Sequence, residues 1–336
     1  MRIFSFIPAA CMAVMAYAGC PSSVNPWKWT SVESPSAGYS PDSLVKQTFV
    51  YAVKGCDTLR LDVYYNPTAD WTYGERRPAI LFSFGGGWEA GARADGAGTH
   101  TPFLNIMTRY GYVGIGIDYR LGYLKARKSG RVDDISVGHY LEGKDYTSEV
   151  FQTITDAIET GADDIIDATA FVVANADKWN IDPDCVILCG ASAGGCNSLA
   201  AAFRDLDGAK TGLPEGFRYA GVIAGCAALW YAAPGSPAEA QGDAVAPALA
   251  DMPGGRPCPV LFIHGDADPL IPFDRLSLPG GLCIDGSAAL VRYFAERGWP
   301  YVMITGPGCV HSFGGEQFSS GHDFVNRFIL DYIVRL

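Results

Sequence analysis

Gly190-Ala191-Ser192-Ala193-Gly194 is the one G-x-S-x-G run in the chain. With 40 glycines present the pattern alone is weak, and its setting gives it weight. An apolar stretch, Val186–Leu188, precedes it, and a helix-forming stretch, Ser192–Arg204, follows. A serine on such a strand-to-helix turn stands exposed at a helix N-terminus, and only small neighbours leave the turn room to close. The plain alternative is a tight turn whose serine merely caps the helix. A serine hydroxyl attacks a carbonyl only if a base removes its proton. Five histidines are available: His100, His139, His264, His311 and His322. Where this turn is used, nucleophile, acid and base follow in that order along the chain, which removes His100 and His139. His264 precedes the available acids, and His322 opens the final helical stretch as a capping or surface residue. His311, in the loop "GPGCVHSF" after the last strand, is the expected base.

The acid accepts a hydrogen bond from the imidazole, sets its tautomer and stabilises the imidazolium. Asp266 and Asp268 both follow the apolar run Val260–His264. The frame "HGDADPLIP" sets Asp268 before the Ile271-Pro272 turn and makes it the expected acid, with Asp266 bonding inside its own loop. Two carboxylates without a wider set of oxygen ligands do not make a calcium loop. No metal or other cofactor is called for by these residues.

Attack on a carbonyl leaves negative charge on oxygen, which backbone N–H groups aimed at that point stabilise strongly. Ala193, directly after the serine, supplies one such group. The stretch "LFSFGGGWEAG" (81–91) supplies the others: Gly85, Gly86 and Gly87 follow an apolar strand, where side chains would fill the substrate's place. Gly86, Gly87 and Ala193 are the expected oxyanion donors. Apolar bulk at Leu81–Phe84 and Trp88 brackets the glycines, unlike a flexible linker.

Positioning these loops requires strands that end at a common edge. Thr48–Val53 and Leu59–Tyr65 alternate like a hairpin around Lys54–Asp57. Ala79–Phe84, Tyr112–Asp118, Val186–Leu188, Ala220–Ala224, Val260–His264 and Tyr301–Thr305 are short, continuously apolar runs separated by helical stretches. That alternation implies an α/β fold with a mostly parallel central sheet and helices on both faces. A helical stretch spans Tyr146–Trp179 with a break expected at Gly161, and residues 121–148 read as a polar loop inserted near the site. Residues 232–256 read as a second loop, and Trp88 and Trp230 fit either the pocket or the core.

Taken in order, "FGGGW", "DYRLG", "GASAGG", "HGDADPLIP" and "GCVHSF" resemble the carboxylesterase and hormone-sensitive-lipase-like branches of the α/β-hydrolase superfamily, across nearly the whole chain after its first residues. The resemblance implies an α/β-hydrolase fold and serine hydrolysis, with Ser192 as nucleophile, Asp268 as acid and His311 as base. It also implies acetyl or feruloyl esters of plant polysaccharides, or other short-acyl esters, as substrates. Relatives have histidine before the glycines; this chain has Phe84, which places the question on loop geometry. A prolyl-oligopeptidase-like peptidase uses the same triad but carries a large N-terminal propeller, for which too few residues precede the first strand. A non-catalytic binding protein of the same fold would not need the complete set.

Composition is consistent with this reading. The chain has 336 residues, 49% of them hydrophobic, and a formal charge of −11. Such a surface repels phosphate backbones, so no nucleic-acid partner is expected. Arg2 and the apolar stretch Ile3–Ala18 read as a signal peptide (1–18), residues 19–45 as a tether, and 46–336 as one catalytic domain. An exported, periplasmic or extracellular protein is the expectation, with lipid attachment at Cys20 left open beside plain cleavage. No other stretch is long and apolar enough to cross a membrane. Ten cysteines show no zinc-site spacing; Cys185, Cys189 and Cys196 read as core, and Cys283 with Cys309, both placed in late loops, as the one disulfide pairing.

Overall fold

The computed structural model describes residues 43–94, 100–143, 146–204, 206, 211–233, 235–237 and 257–334. The expected signal peptide, Cys20, nearly all of the tether and most of the 232–256 loop lie outside the described residues.

Val45–Lys54 (β1) and Asp57–Tyr65 (β2) form an antiparallel hairpin that turns at Gly55, whose φ is +64°. β2 runs antiparallel to Val113–Ile117 (β4). Beyond β4 the pairings are parallel, through Arg77–Ser83 (β3), Ile181–Ala191 (β5), Gly221–Gly225 (β6), Val260–Gly265 (β8) and Tyr301–Gly306 (β11). The strand order is β1-β2-β4-β3-β5-β6-β8-β11. The parallel strands are apolar and buried along their central stretches, such as Ala79–Phe82 and Val186–Cys189, because crossover helices cover both faces. Leu81, Ile115, Leu188, Val222 and Phe262 point to one core, with His100–Met107 (α1) and His322–Ile329 (α7) packed on the other around Ile80, Phe82, Ile187 and Ile223. The first core also takes in Ser148–Ala174 (α4), Ala193–Ala202 (α5) and Ser287–Glu296 (α6).

The structure departs from the sequence expectations at several points. Residues 121–148 are not a plain loop: they contain Gly122–Lys128 (α2) and Val137–Gly143 (α3), helices of 7 residues each, and α3 buries Val137, Tyr140 and Leu141 at helical spacing over a stretch too short to sustain a periodic signal. α4 begins on Thr147, whose side chain accepts from the Val150 N–H at 3.2 Å. Ala228–Ala232 (β7), Arg275–Ser277 (β9) and Leu282–Gly286 (β10) form a second, antiparallel sheet in the order β7-β10-β9. Trp230 therefore sits inside a strand. Cys283 lies in β10 rather than a loop, and it and Cys309 are both free thiols, so the expected bridge is not formed.

α4 runs unbroken through Gly161, where a break was expected. The glycine is there for close packing: a Cβ would lie 2.3 Å from Asn197 Nδ2 on α5. Asn197 Oδ1 in turn accepts from Trp88 Nε1 at 2.8 Å. Gly161→Ala is expected to destabilise the chain by about 1–3 kcal/mol through overpacking, against alanine's better helix propensity. A denaturation midpoint equal to or above wild type would show instead that Asn197 moves aside freely.

Candidate active site

β5 delivers Ser192 onto α5 through a turn in which the serine has φ +55° and ψ −127°, a conformation L-residues rarely adopt. The neighbours are small because nothing else fits. A Cβ on Gly190 would lie 2.5 Å from the Gly194 carbonyl carbon, and one on Gly194 would lie 2.0 Å from the Ser83 carbonyl oxygen. The Ser192 N–H donates to Gly225 O at 2.8 Å, fixing the turn to β6. The serine side chain makes no capping bond to α5. It meets His311 instead, Nε2 to Oγ at 2.9 Å.

His311 and Asp268 reach this point because their strands are neighbours. β8 and β11 pair in parallel with Gly265 opposite Gly306, so the loops after them leave the same edge together. His311 Nδ1 lies 2.7 Å from Asp268 Oδ2. The other carboxylate oxygen, Oδ1, accepts from the backbone N–H groups of Leu270 and Ile271 at 2.8 and 3.0 Å. Asp266 is occupied elsewhere: its Oδ1 accepts from Gly308 N–H at 2.6 Å, tying the acid loop to the histidine loop.

His264, set aside in the sequence because it precedes the acids, proves to be part of this network. Its Nε2 lies 3.1 Å from the same Asp268 Oδ2, and its Nδ1 lies 2.8 Å from Ser287 Oγ. The four-residue step from His264 to Asp268 was the available signal. With the carboxylate as acceptor, Nε2 carries the proton and Nδ1 accepts from the serine hydroxyl. Burial pushes the Asp268 carboxyl up, but the hydrogen bonds from His264 and His311 outweigh it and hold the group well below the usual carboxylate range. His264 thus holds Asp268 Oδ2 from a second side. His264→Phe removes one bond to a charged group, worth about 1.5–3 kcal/mol. The expected result is a kcat roughly ten- to a hundredfold lower with KM near wild type, and partial recovery in His264→Gln, whose amide can donate to Oδ2. Loss confined to KM, or no recovery by glutamine, would assign His264 to packing only.

The glycine loop leaves β3 beside the serine turn, since Ser83 pairs with Gly190. Gly86 and Gly87 take φ values of +116° and +62°, and a Cβ on either would collide, with Ala90 O at 2.3 Å and Val137 Cγ1 at 2.5 Å. Gly86, Gly87, Ser192 and His311 line one cavity of about 490 Å³. Ala193 opens α5, where backbone N–H groups have no partner within the helix. Phe84 answers for the missing histidine by packing: its ring stacks on Tyr119 at 4.3 Å, and the Tyr119 hydroxyl donates to the Phe84 carbonyl at 2.9 Å. Gly91 lets that ring seat, because a Cβ there would lie 2.3 Å from it.

The cavity's other wall is α3, contributing Val137 and Leu141, with Leu270 opposite. Glu89 anchors that wall to the glycine loop: its Oε2 accepts from Ser136 Oγ at 2.8 Å and Val137 N–H at 3.1 Å, and Arg127 pairs with its Oε1. Trp88 and Trp230 are both core residues, each 1% exposed and packed edge to face. Cys226, just after β6, also lines the cavity; burial first, and then the Asp268 carboxylate, push its thiol up to about 12. It stands beside the histidine as a neutral thiol, a poor rival to Ser192. Among the described residues no helix is long and apolar enough to cross a membrane.

No protein-family model and no curated protein matches this chain. Solved structures do. A thermophilic esterase from the planctomycete Thermogutta terrifontis, esterase 2 in its butyrate-bound form, is 20% identical with a TM-score of 0.58, over 85% of this chain and 95% of that one. The same esterase phosphoramylated by tabun is 20% identical with a TM-score of 0.57, over 86% and 96%. Its propionate-bound form is 21% identical with a TM-score of 0.57, over 85% and 95%. At this identity the likeness is one of fold, and the fold is that of the α/β hydrolases.

Proposed function

We propose that the chain is a serine hydrolase of carboxylic esters that works through an acyl-enzyme. The observation that carries this reading is the unbroken hydrogen-bond chain from Ser192 through His311 to Asp268, set beside the glycine loop in one cavity. Ser192 Oγ attacks the ester carbonyl as His311 Nε2 takes its proton. The developing oxyanion is received by the N–H groups of Gly86, Gly87 and Ala193. His311 then returns the proton to the departing alcohol. Water, activated by the same nitrogen, releases the acid and restores Ser192.

Short acyl groups suit the apolar wall of Val137, Leu141 and Leu270. Support comes from the solved esterase of the same fold, whose structures hold butyrate and propionate and which tabun modifies covalently. Within this class, the sequence resemblance favours acetyl or feruloyl esters of plant polysaccharides. Export through residues 1–18 belongs to the same reading.

The test is a panel run on the purified chain: p-nitrophenyl acetate and butyrate, a feruloyl ester, acetylated xylan and a prolyl amide. Hydrolysis of the short esters, with paraoxon stopping turnover and adding its phosphoryl mass to the peptide bearing Ser192, is expected. Cleavage of the amide alone would make the chain a peptidase. Failure on every ester, without labelling, would remove the hydrolase reading.

A further inference from the structure

We propose that Cys226, Asp268 and His311 together form an inhibitory binding site for a soft divalent cation, zinc or cadmium. One ligand atom from each of the three residues lies within 4.8 Å of the others. They come from three separate segments, after β6, β8 and β11, so no cysteine–histidine spacing in the sequence could reveal the set.

Zinc is commonly held by three protein ligands from among sulfur, nitrogen and carboxylate oxygen, at roughly 2.0–2.3 Å, with a fourth position left to water. Sulfur, imidazole and carboxylate are all present here. Two of the three are firmly aimed. Asp268 is clamped by the Leu270 and Ile271 N–H groups and by His264. Cys226 is held at φ +45°, its N–H donating to Ile263 O at 2.7 Å and its Sγ accepting from Gly314 N–H at 3.2 Å. His311, the third ligand, stands at the N-cap of the helix Ser312–Ser320 with its Nδ1 toward Asp268. Cys226 and His311 both face the cavity, which gives an ion its entry and the open fourth position.

Binding balances simply. The ion takes the sulfur lone pair as the thiol proton leaves to solvent, one proton per ion. At His311 it takes the Nδ1 lone pair, and the single ring proton moves to Nε2. That nitrogen then donates toward Ser192 Oγ and no longer accepts from it. The serine loses its base. Binding rests on the geometry alone, whereas inhibition rests on the proposed hydrolase activity.

The experiment titrates the reduced, EDTA-stripped chain with cadmium chloride and follows the ultraviolet thiolate-to-cadmium absorption. One Cys226-dependent ion per chain is expected, displaced by zinc chloride. Zinc should inhibit p-nitrophenyl acetate hydrolysis reversibly, with full recovery on EDTA. In Cys226→Ser and Cys226→Ala that absorption should vanish, and the zinc midpoint, measured against each variant's own metal-free rate, should rise at least tenfold. Cys309→Ser, on the loop that carries His311, should keep both. If the cysteine variants do not fold, judged by their melting curves, His311→Ala decides: it should weaken the cadmium midpoint at least tenfold. Unaltered absorption in Cys226→Ser, equal zinc inhibition of that variant, or an unmoved midpoint in His311→Ala would each overturn the site. Cadmium binding without ester hydrolysis would leave the site standing and remove only its role as an inhibitor.

Discussion

Ser192→Ala is expected to lower kcat toward p-nitrophenyl acetate by about 10⁶, the scale seen when a triad nucleophile is removed. The melting temperature should stay near wild type. The reason lies in how the turn is held. Its geometry is set by Gly190, Gly194 and the Ser192 N–H bond to Gly225, none of which involves the hydroxyl. The hydroxyl contributes one bond, to His311 Nε2. Removing it leaves the glycine loop and cavity in place, so the cavity should still bind ester, and the residual rate should reflect binding and oxyanion stabilisation alone. Turnover within tenfold of wild type would exclude Ser192 as the nucleophile. A large drop in melting temperature would show that the hydroxyl is structural.

The second large effect is expected at Asp268. Asp268→Asn should reduce kcat by about 10⁴, because an amide cannot accept everything the carboxylate does. Oδ2 faces His311 and His264, and Oδ1 faces two backbone N–H groups. An asparagine must turn its NH₂ toward one pair of donors. Facing the histidines, it reverses the His311 tautomer and removes the acceptor from Ser192. Asp266→Asn keeps an oxygen for Gly308 and should lose far less in kcat, since Asp266 joins loops and touches neither histidine. Equal losses in the two variants would reject Asp268 as the acid. Stability carries the same signature. The native carboxyl of Asp268 is held below its ordinary value of about 3.9. Its stabilising contribution is therefore complete above that value and is lost as pH falls through the lower native one. The stability gap between wild type and Asp268→Asn should accordingly narrow in acid.

Much of this was legible along the chain because it depends on local order. Ser192, Asp268 and His311 follow apolar runs in the order that goes with the serine turn, and each run became a strand of the parallel sheet. The glycines of "FGGGW" were legible too, since three consecutive residues without side chains in an apolar setting imply close approach. The replacement for the histidine absent at Phe84 was not. Tyr119 lies 35 residues on, and its stacking and hydrogen bond to Phe84 exist only after β3 and β4 pair. Gly161 misled for the same reason: helix propensity is a property of the segment, while its contact with Asn197 belongs to two helices.

The alternation of strands and helices, the serine turn and the order of Ser192, Asp268 and His311 were all readable along the chain, because periodicity and turn chemistry are short-range. It took the folded chain to show that His264 shares Asp268 Oδ2 with His311, that α3 walls the cavity through Glu89, and that Cys226 stands against His311 and Asp268. Those contacts join loops at the ends of strands that are distant in the chain, and their distances follow from sheet register, which no single segment encodes.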